Sequence, residues 1–312
     1  MLVWIGLAML SYRLFHSDDY HLFIKTDVGG HGHGYVYYDD GLWTRRVPIG
    51  YDNEILLFYA DLSPDGSKIA FKKDLWLTIY DIPSSQLTQI NLEPNIPLGS
   101  TTIQWSPDGS QIGFPCQPLY DDPIEVCVWD VAKEEMRVLS DLSSYGKYDR
   151  LSFGSWSADA KTIVFTIFYP EDDSGMGRQL ILKLDTDDGH VTLVLDSQEA
   201  GLNMSDKIAL SPDGKIILFG ANTLLEQQEK GFRFSLYQIN SDGSSLHRLI
   251  ALEDWSLFYP VWSPDGHSFY VNATNYYYCL PLRYDLSGRR IGMLPFPSRR
   301  SILSWRSADP GK

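Results

Sequence analysis

One eleven-residue pattern recurs five times and limits what this chain can fold into. The copies are DLSPDGSKIAF (Asp61–Phe71), QWSPDGSQIGF (Gln104–Phe114), SWSADAKTIVF (Ser155–Phe165), ALSPDGKIILF (Ala209–Phe219) and VWSPDGHSFYV (Val261–Val271). Their serines, Ser63, Ser106, Ser157, Ser211 and Ser263, lie 43, 51, 54 and 52 residues apart. A period of about 40 to 50 residues built from short strands marks a propeller blade, one four-stranded sheet per repeat.

The motif has a local physical logic. Trp or Leu ends one strand, Pro fixes φ and opens a turn, Asp bonds back to nearby amides, and Gly takes the positive-φ position. An apolar strand follows. Asp65, Gly66, Asp108, Gly109, Asp213, Gly214, Asp265 and Gly266 are therefore structural. The third copy has Ala158 for Pro and Ala160 for Gly, which predicts a less regular turn. After each motif come two further strand-like runs, for example EVCVWDV then EMRVLSDL, and LILKLDT then HVTLVLD. Turn residues such as those of Asn240–Gly243 and Asp285–Gly288 separate the two. Each repeat thus has strands A to D, with the SPDG turn between A and B.

The chain ends complete the count. HLFIKTD (His21–Asp27), YVYYDD (Tyr35–Asp40) and LWTRRVPI (Leu42–Ile49) match strands B, C and D with no A before them. Ser301–Trp305 near the carboxy end matches a strand A, with Trp305 in the place of Trp105 or Trp262. Pairing the last strand with the first leaves no free sheet edge between first and last blades. The expectation is an all-β, six-bladed β-propeller, closed by its C-terminal strand joining the N-terminal blade. It occupies residues 20–312 as a single domain.

Across those residues the repeats resemble the TolB-like propellers. The resemblance is specific for fold and poor for function, because such scaffolds host many roles. It implies a binding or scaffold propeller that captures a protein or peptide partner, with relatives taking peptide segments in or near the central channel. Some relatives are lyases with a central metal held by histidines of several blades, so a pore-centred hydrolase or lyase acting on a carbohydrate or peptide is the alternative.

Composition narrows the partners. With 26 basic and 40 acidic residues, the net charge of −14 repels phosphate backbones and excludes nucleic acid. It admits a cationic partner. Residues 1–19 begin MLVWIGLAML, an apolar run shorter than the roughly 20 residues that span a bilayer. It reads as a signal or membrane anchor, giving an extracytoplasmic or membrane-tethered protein. A segment docked on a cytoplasmic domain is the other reading. Cys116 and Cys127 flank one hairpin. Buried thiols are expected there, with a bridge open in an oxidising compartment.

Strand direction alternates, so A–B and C–D turns share one face and B–C and D–A loops share the other. The longer connections fall on the second face, and extra loop length on a rigid scaffold is where function concentrates. That face gathers Tyr120, Asp121, Asp122, Tyr169, Glu171, Asp172, Asp173, Trp255 and Tyr259 as candidate binding residues. Carboxylates beside aromatics suit a cationic or sugar-like ligand. No catalytic residue, metal ligand or cofactor is assigned. His31 and His33 are the one close histidine pair, and they sit in a glycine-rich loop. The Asp185–Gly189 run lacks the later glutamate of a calcium loop. No G-x-S-x-G nucleophile elbow occurs.

Overall fold

The structure is a computed structural model. It describes residues 20–26, 34–39, 44–47, 60–73, 76–92, 102–117, 122–171, 177–223, 225–226, 233–275, 278–293 and 300–306. The described strands form six antiparallel four-stranded sheets, the blades of a β-propeller. Blade one is built of Arg300–Arg306 as strand A, then Tyr20–Thr26, Gly34–Asp39 and Thr44–Arg46. The A strands of blades two to six are Asp61–Leu62, Gln104–Trp105, Arg150–Trp156, Leu202–Leu210 and Ser256–Trp262. The B strands that follow are Lys68–Lys73, Gln111–Cys116, Thr162–Glu171, Ile216–Thr223 and Ser268–Thr274.

The ring closes where the repeat phase requires. His21 pairs with Trp305 and Lys25 with Arg300, so the last strand lies beside the first. Trp305 is buried, its ring 4.8 Å from that of Tyr270 in blade six and 4.9 Å from the Arg283 guanidinium. Hydrophobic cores lie between successive blades, as two sheets packing face to face demand. One joins Val126 and Val128 of blade three to Phe153, Phe165 and Leu182 of blade four. Others join Val164 and Ile181 to Phe219, and Leu218 to Phe269 and Val271. The B-strand residues Phe71, Phe114, Phe165 and Phe219 are fully buried.

The SPDG turn repeats the same bonds in every copy. The serine hydroxyl donates to the aspartate two residues on at 2.6 Å in all five turns. That hydroxyl also accepts from the amide five residues on, at 2.8–3.0 Å. The aspartate in turn accepts the amide two residues further on. The expectation of an irregular third turn is corrected. Ala160 adopts φ 57°, and its amide reaches the Ser157 carbonyl at 2.9 Å, as Gly66 and Gly109 reach Ser63 and Ser106. The shared Ser–Asp bonds impose the left-handed conformation on alanine, which costs it about 1–2 kcal/mol relative to an ordinary region.

The cysteine expectation is corrected as well. Cys116 ends strand B of blade three and Cys127 lies on Glu125–Asp130, strand C of the same blade. The hairpin brings their Cα atoms to 5.8 Å and the two are joined as a disulfide, fully buried. That spacing lies within the range a bridge accepts without backbone movement. No helix among the described residues is long and apolar enough to cross a membrane. Residues 1–19, the proposed anchor, lie outside the described residues, as do His31 and His33.

Candidate binding site in the central channel

The A strands converge on the propeller axis and wall a cavity of about 290 Å³. All six blades contribute. Trp105, Trp156, Trp262 and Trp305 come from the strand ends. Pro64, Pro107, Pro212 and Pro264 come from the turns, with Ala158 completing the collar in blade four. The turns also stack around the mouth. Gly109 faces Pro64 of the previous blade and Gly266 faces Pro212, while Gly214 faces Ser157 Cβ of blade four, so these three turns rest on the turn of the preceding blade. The cavity therefore opens on the A–B face.

Three charged side chains from three blades enter this apolar collar. Arg306 stands one residue after Trp305, where the other copies carry the motif serine. Its guanidinium Nη2 lies 2.5 Å from Asp61 Oδ2 of blade two, and its Nε donates to the Leu62 carbonyl at 2.9 Å. Asp61 also accepts the Trp105 amide of blade three at 2.9 Å. One carboxylate thus ties blades one, two and three together. Lys207 of blade five lines the same cavity and is almost wholly buried. Burial brings its ammonium down to about 8, with Asp61 opposing and Arg306 adding to the shift. Such a displaced lysine is a mark of functional sites as well as of structural networks.

The loop face is only partly described. Tyr120, Asp121, Asp172 and Asp173 lie outside the described residues. Glu171 ends strand B of blade four. Asp122 offers its carbonyl to Gln117 Nε2 at 2.8 Å. Tyr169 donates its hydroxyl to the Tyr145 carbonyl at 2.6 Å and lies 5.3 Å from the Arg178 guanidinium, which pairs with Asp196 at 2.6 Å. Trp255 lines a separate groove of about 450 Å³ with Phe234, Arg233 and Arg248. Both arginines there are paired, Arg233 with Asp254 and Arg248 with Glu226. Tyr259 sits on strand A of blade six at a bulge, with φ 53° and its carbonyl accepting from Asn272. Tyr169 thus lies on strand B of blade four, while Trp255 immediately precedes strand A of blade six and Tyr259 lies on it.

Near Asp122, Glu125 is buried and accepts from Ser140 Oγ at 2.5 Å and from the Leu142 amide at 3.0 Å. Burial raises its carboxyl above the ordinary range against those two hydrogen bonds. Among the described residues no cluster of His, Cys, Asp or Glu is placed to hold a metal ion.

Sequence reasoning missed Asp61, Lys207 and Arg306. The signal lay in departures from the repeat. Four residues before the motif serine, Lys207 aligns with Tyr59, Thr102, Phe153 and Tyr259, so it is the one ionisable amine at that position. Arg306 replaces the serine itself. Regarding the motif as purely structural concealed both.

The architecture defines a six-bladed propeller with a pocket on its axis. The fold is that of the TolB-like propellers. TolB from Acinetobacter baumannii superposes with a TM-score of 0.65 at 16% identity, over 97% of this chain and 71% of that one. A TolB candidate from Agrobacterium tumefaciens gives 0.60 at 16% identity, over 92% of each chain. An oligogalacturonate lyase from Vibrio parahaemolyticus gives 0.57 at 13% identity, over 89% of this chain and 73% of that one. At these identities the likeness speaks for the fold alone. No protein-family model matches the sequence, and comparison with curated proteins finds no match.

Proposed function

We propose that this protein is a non-catalytic binding propeller that takes a peptide segment of a partner protein. One observation carries the reading. The axial cavity is walled by tryptophan and proline from all six blades, and its carboxylate, Asp61, is already held by Arg306 and the Trp105 amide. A cavity of this volume stands near the lower end of ligand pockets, which suits a few residues of an extended segment. The acidic B–C and D–A loops form a second surface, for a cationic region of the same partner. Asp121, Asp122, Glu171, Asp172 and Asp173 supply the charge, and Tyr120, Tyr169, Trp255 and Tyr259 the aromatic contacts.

The buried Cys116–Cys127 bridge favours an oxidising compartment. It agrees with an exported or membrane-tethered protein, the segment 1–19 serving as signal or anchor. A second reading, a pore-centred lyase or hydrolase, draws on Lys207, a buried amine brought near neutrality on the axis.

The test uses the full chain as bait. Filling the channel with Gln104→Trp should abolish capture of the partner. Neutralising the five loop carboxylates should weaken capture at low salt and matter less at high salt, where exposed charges are screened beyond about 8 Å. If both variants capture as well as the wild type, the reading is wrong. Turnover of oligogalacturonate or peptide, lost in Lys207→Met, would establish the enzyme instead.

A further inference from the structure

Strand D is the outer edge of its sheet in all six blades. An edge presents a row of N–H and C=O groups to any passing strand, and natural sheets protect it with charges, bulges or very short strands. Five of the described outer strands carry such a device. That of blade one has three residues and contains Arg45 and Arg46. That of blade three, Glu135–Val138, contains Glu135 and Arg137. In blades four, five and six the pairing of strands C and D shifts register at a bulge. Blade two has none of these. Its outer strand, Gln86–Ile90, pairs with Trp76–Asp81 through five consecutive residues without a shift. The strand holds no charge and no proline, and no charged residue occurs from Ile82 to Leu92. Gln86, Leu87, Thr88 and Gln89 are exposed, Leu87 at 46%.

We infer that this edge is a self-association site, where the outer strand of blade two pairs antiparallel with the same strand of a second copy of the chain. Charge selects the occupant. Each copy carries a net −14, so two copies approach closely only where that charge is absent, and this edge is such a stretch. A two-fold contact must also be complementary to itself. With the axis through Thr88, Thr88 meets its own counterpart, Leu87 meets Gln89 and Gln86 meets Ile90. No like charges are opposed, and Thr–Thr is a favourable cross-strand pair. Leu87 lies opposite Tyr80 and Gln89 opposite Thr78, so Leu87 and Gln89 share one side of the sheet. The two-fold sets the Leu87 side chains of the two copies on that side at diagonal positions, about 7–8 Å apart and within mutual reach. The contact is small, so the dimer is weak and depends on concentration.

The experiment is sedimentation equilibrium of the full chain over rising concentration, at low and high salt. The parent should pass from monomer to dimer, and salt should favour the dimer by screening the repulsion between two acidic copies. Thr88→Lys sets like charges face to face on the axis and should leave only monomer. Leu193→Lys, on the exposed outer strand of blade four, should dimerise as the parent does. Thermal melts equal to the parent's show that both variants fold, and Gln89→Lys replaces Thr88→Lys if its melt is lowered. Register is read by cross-linking in a Cys279→Ser background. Opposed residues in an antiparallel pair have Cα atoms about 4.5–5.5 Å apart, a disulfide distance, so Thr88→Cys should link to itself under mild oxidation. Leu87→Cys should link to Gln89→Cys in a mixture, and neither should link to itself. A parent that stays monomeric at every concentration and salt overturns the inference. So does a dimer that survives Thr88→Lys or is lost in Leu193→Lys. A monomeric parent whose Thr88→Lys variant loses partner capture would assign the edge to another protein, and the inference would be wrong. Gln104→Trp should dimerise normally, so failure of the binding reading is separable from failure of this one.

Discussion

At the A–B end of the ring the residues that line the channel come from the repeat, whereas at the B–C/D–A end the residues of interest come from loops that differ between blades. The first end is held by bonds that recur identically. Each serine, aspartate and positive-φ residue makes the same contacts, and the turns of blades three, five and six rest on the turn before them. The second end is held by solutions used once, such as the buried Glu125 with Ser140 and Leu142, or Tyr169 on the Tyr145 carbonyl. Repetition produces a symmetric frame, and function then requires breaking that symmetry at a few positions. On the axis the breaks are Asp61, Lys207 and Arg306.

The largest effect should come from removing the strand that closes the A–B end. Deleting residues 300–312 leaves strand B of blade one without its inner partner and removes Trp305 from between blades. Loss of a buried tryptophan alone costs about 3–5 kcal/mol. The truncated chain should therefore melt far below the parent in a thermal scan, and a melt equal to the parent's would contradict closure. Arg306→Met should cost about 3 kcal/mol, because it removes the guanidinium that pairs with the buried Asp61 carboxylate. Adding Asp61→Asn should recover part of the loss in urea melts. An unchanged midpoint for Arg306→Met would mean that the pair does not couple blades one and two.

Turn chemistry gives a smaller contrast. Gly109→Ala places a side chain at φ 72° with room beside Pro64, so the loss of about 1–2 kcal/mol would be conformational alone. Ala160→Gly should do the reverse in blade four. It gains about 0.5–1 kcal/mol, since relief of strain exceeds the added freedom of the unfolded chain. Shifts of opposite sign in urea midpoint, the Gly109→Ala loss being the larger, would show that the five turns are one structure. A destabilised Ala160→Gly would show that blade four departs from it.

Acid should separate the two ends with the smallest effect. Asp65, Asp108, Asp159, Asp213 and Asp265 all titrate below their ordinary 3.8. At Asp65, Asp108 and Asp265 burial pushes upward, and bonds from the serine and the following amide outweigh it. The unfolded chain takes up protons at these groups first, so the stability they give is present above that value and lost as pH falls through their folded values. Glu125 has the opposite sign. Its carboxyl is raised above 4.5, so the folded state binds its proton first and stability falls as pH rises from 4.5 through the folded value. Urea melts from about pH 3 to about pH 7 should show both slopes, and Glu125→Gln should flatten only the upper one. A Glu125→Gln profile parallel to the parent's would mean that its burial is relieved in solution.

The blade architecture was legible in the sequence because its determinants are local. A serine bonds an aspartate two residues on and an amide five residues on, and these bonds fix turn, register and strand phase without help from the rest of the chain. The missing strand A at the start and the unmatched Trp305 at the end were enough to predict closure. The pocket was not legible, because its charged members meet only when the ring is complete. Asp61 and Arg306 are 245 residues apart and touch because blades one and two become neighbours through the closing strand. The joining of Cys116 to Cys127 likewise depended on the distance across a folded hairpin rather than on spacing in the chain. Sequence determined the frame because short-range hydrogen bonds specify each blade. Tertiary structure alone decided the sign and chemistry of the channel, because a closed ring brings together on its axis one strand from every part of the chain.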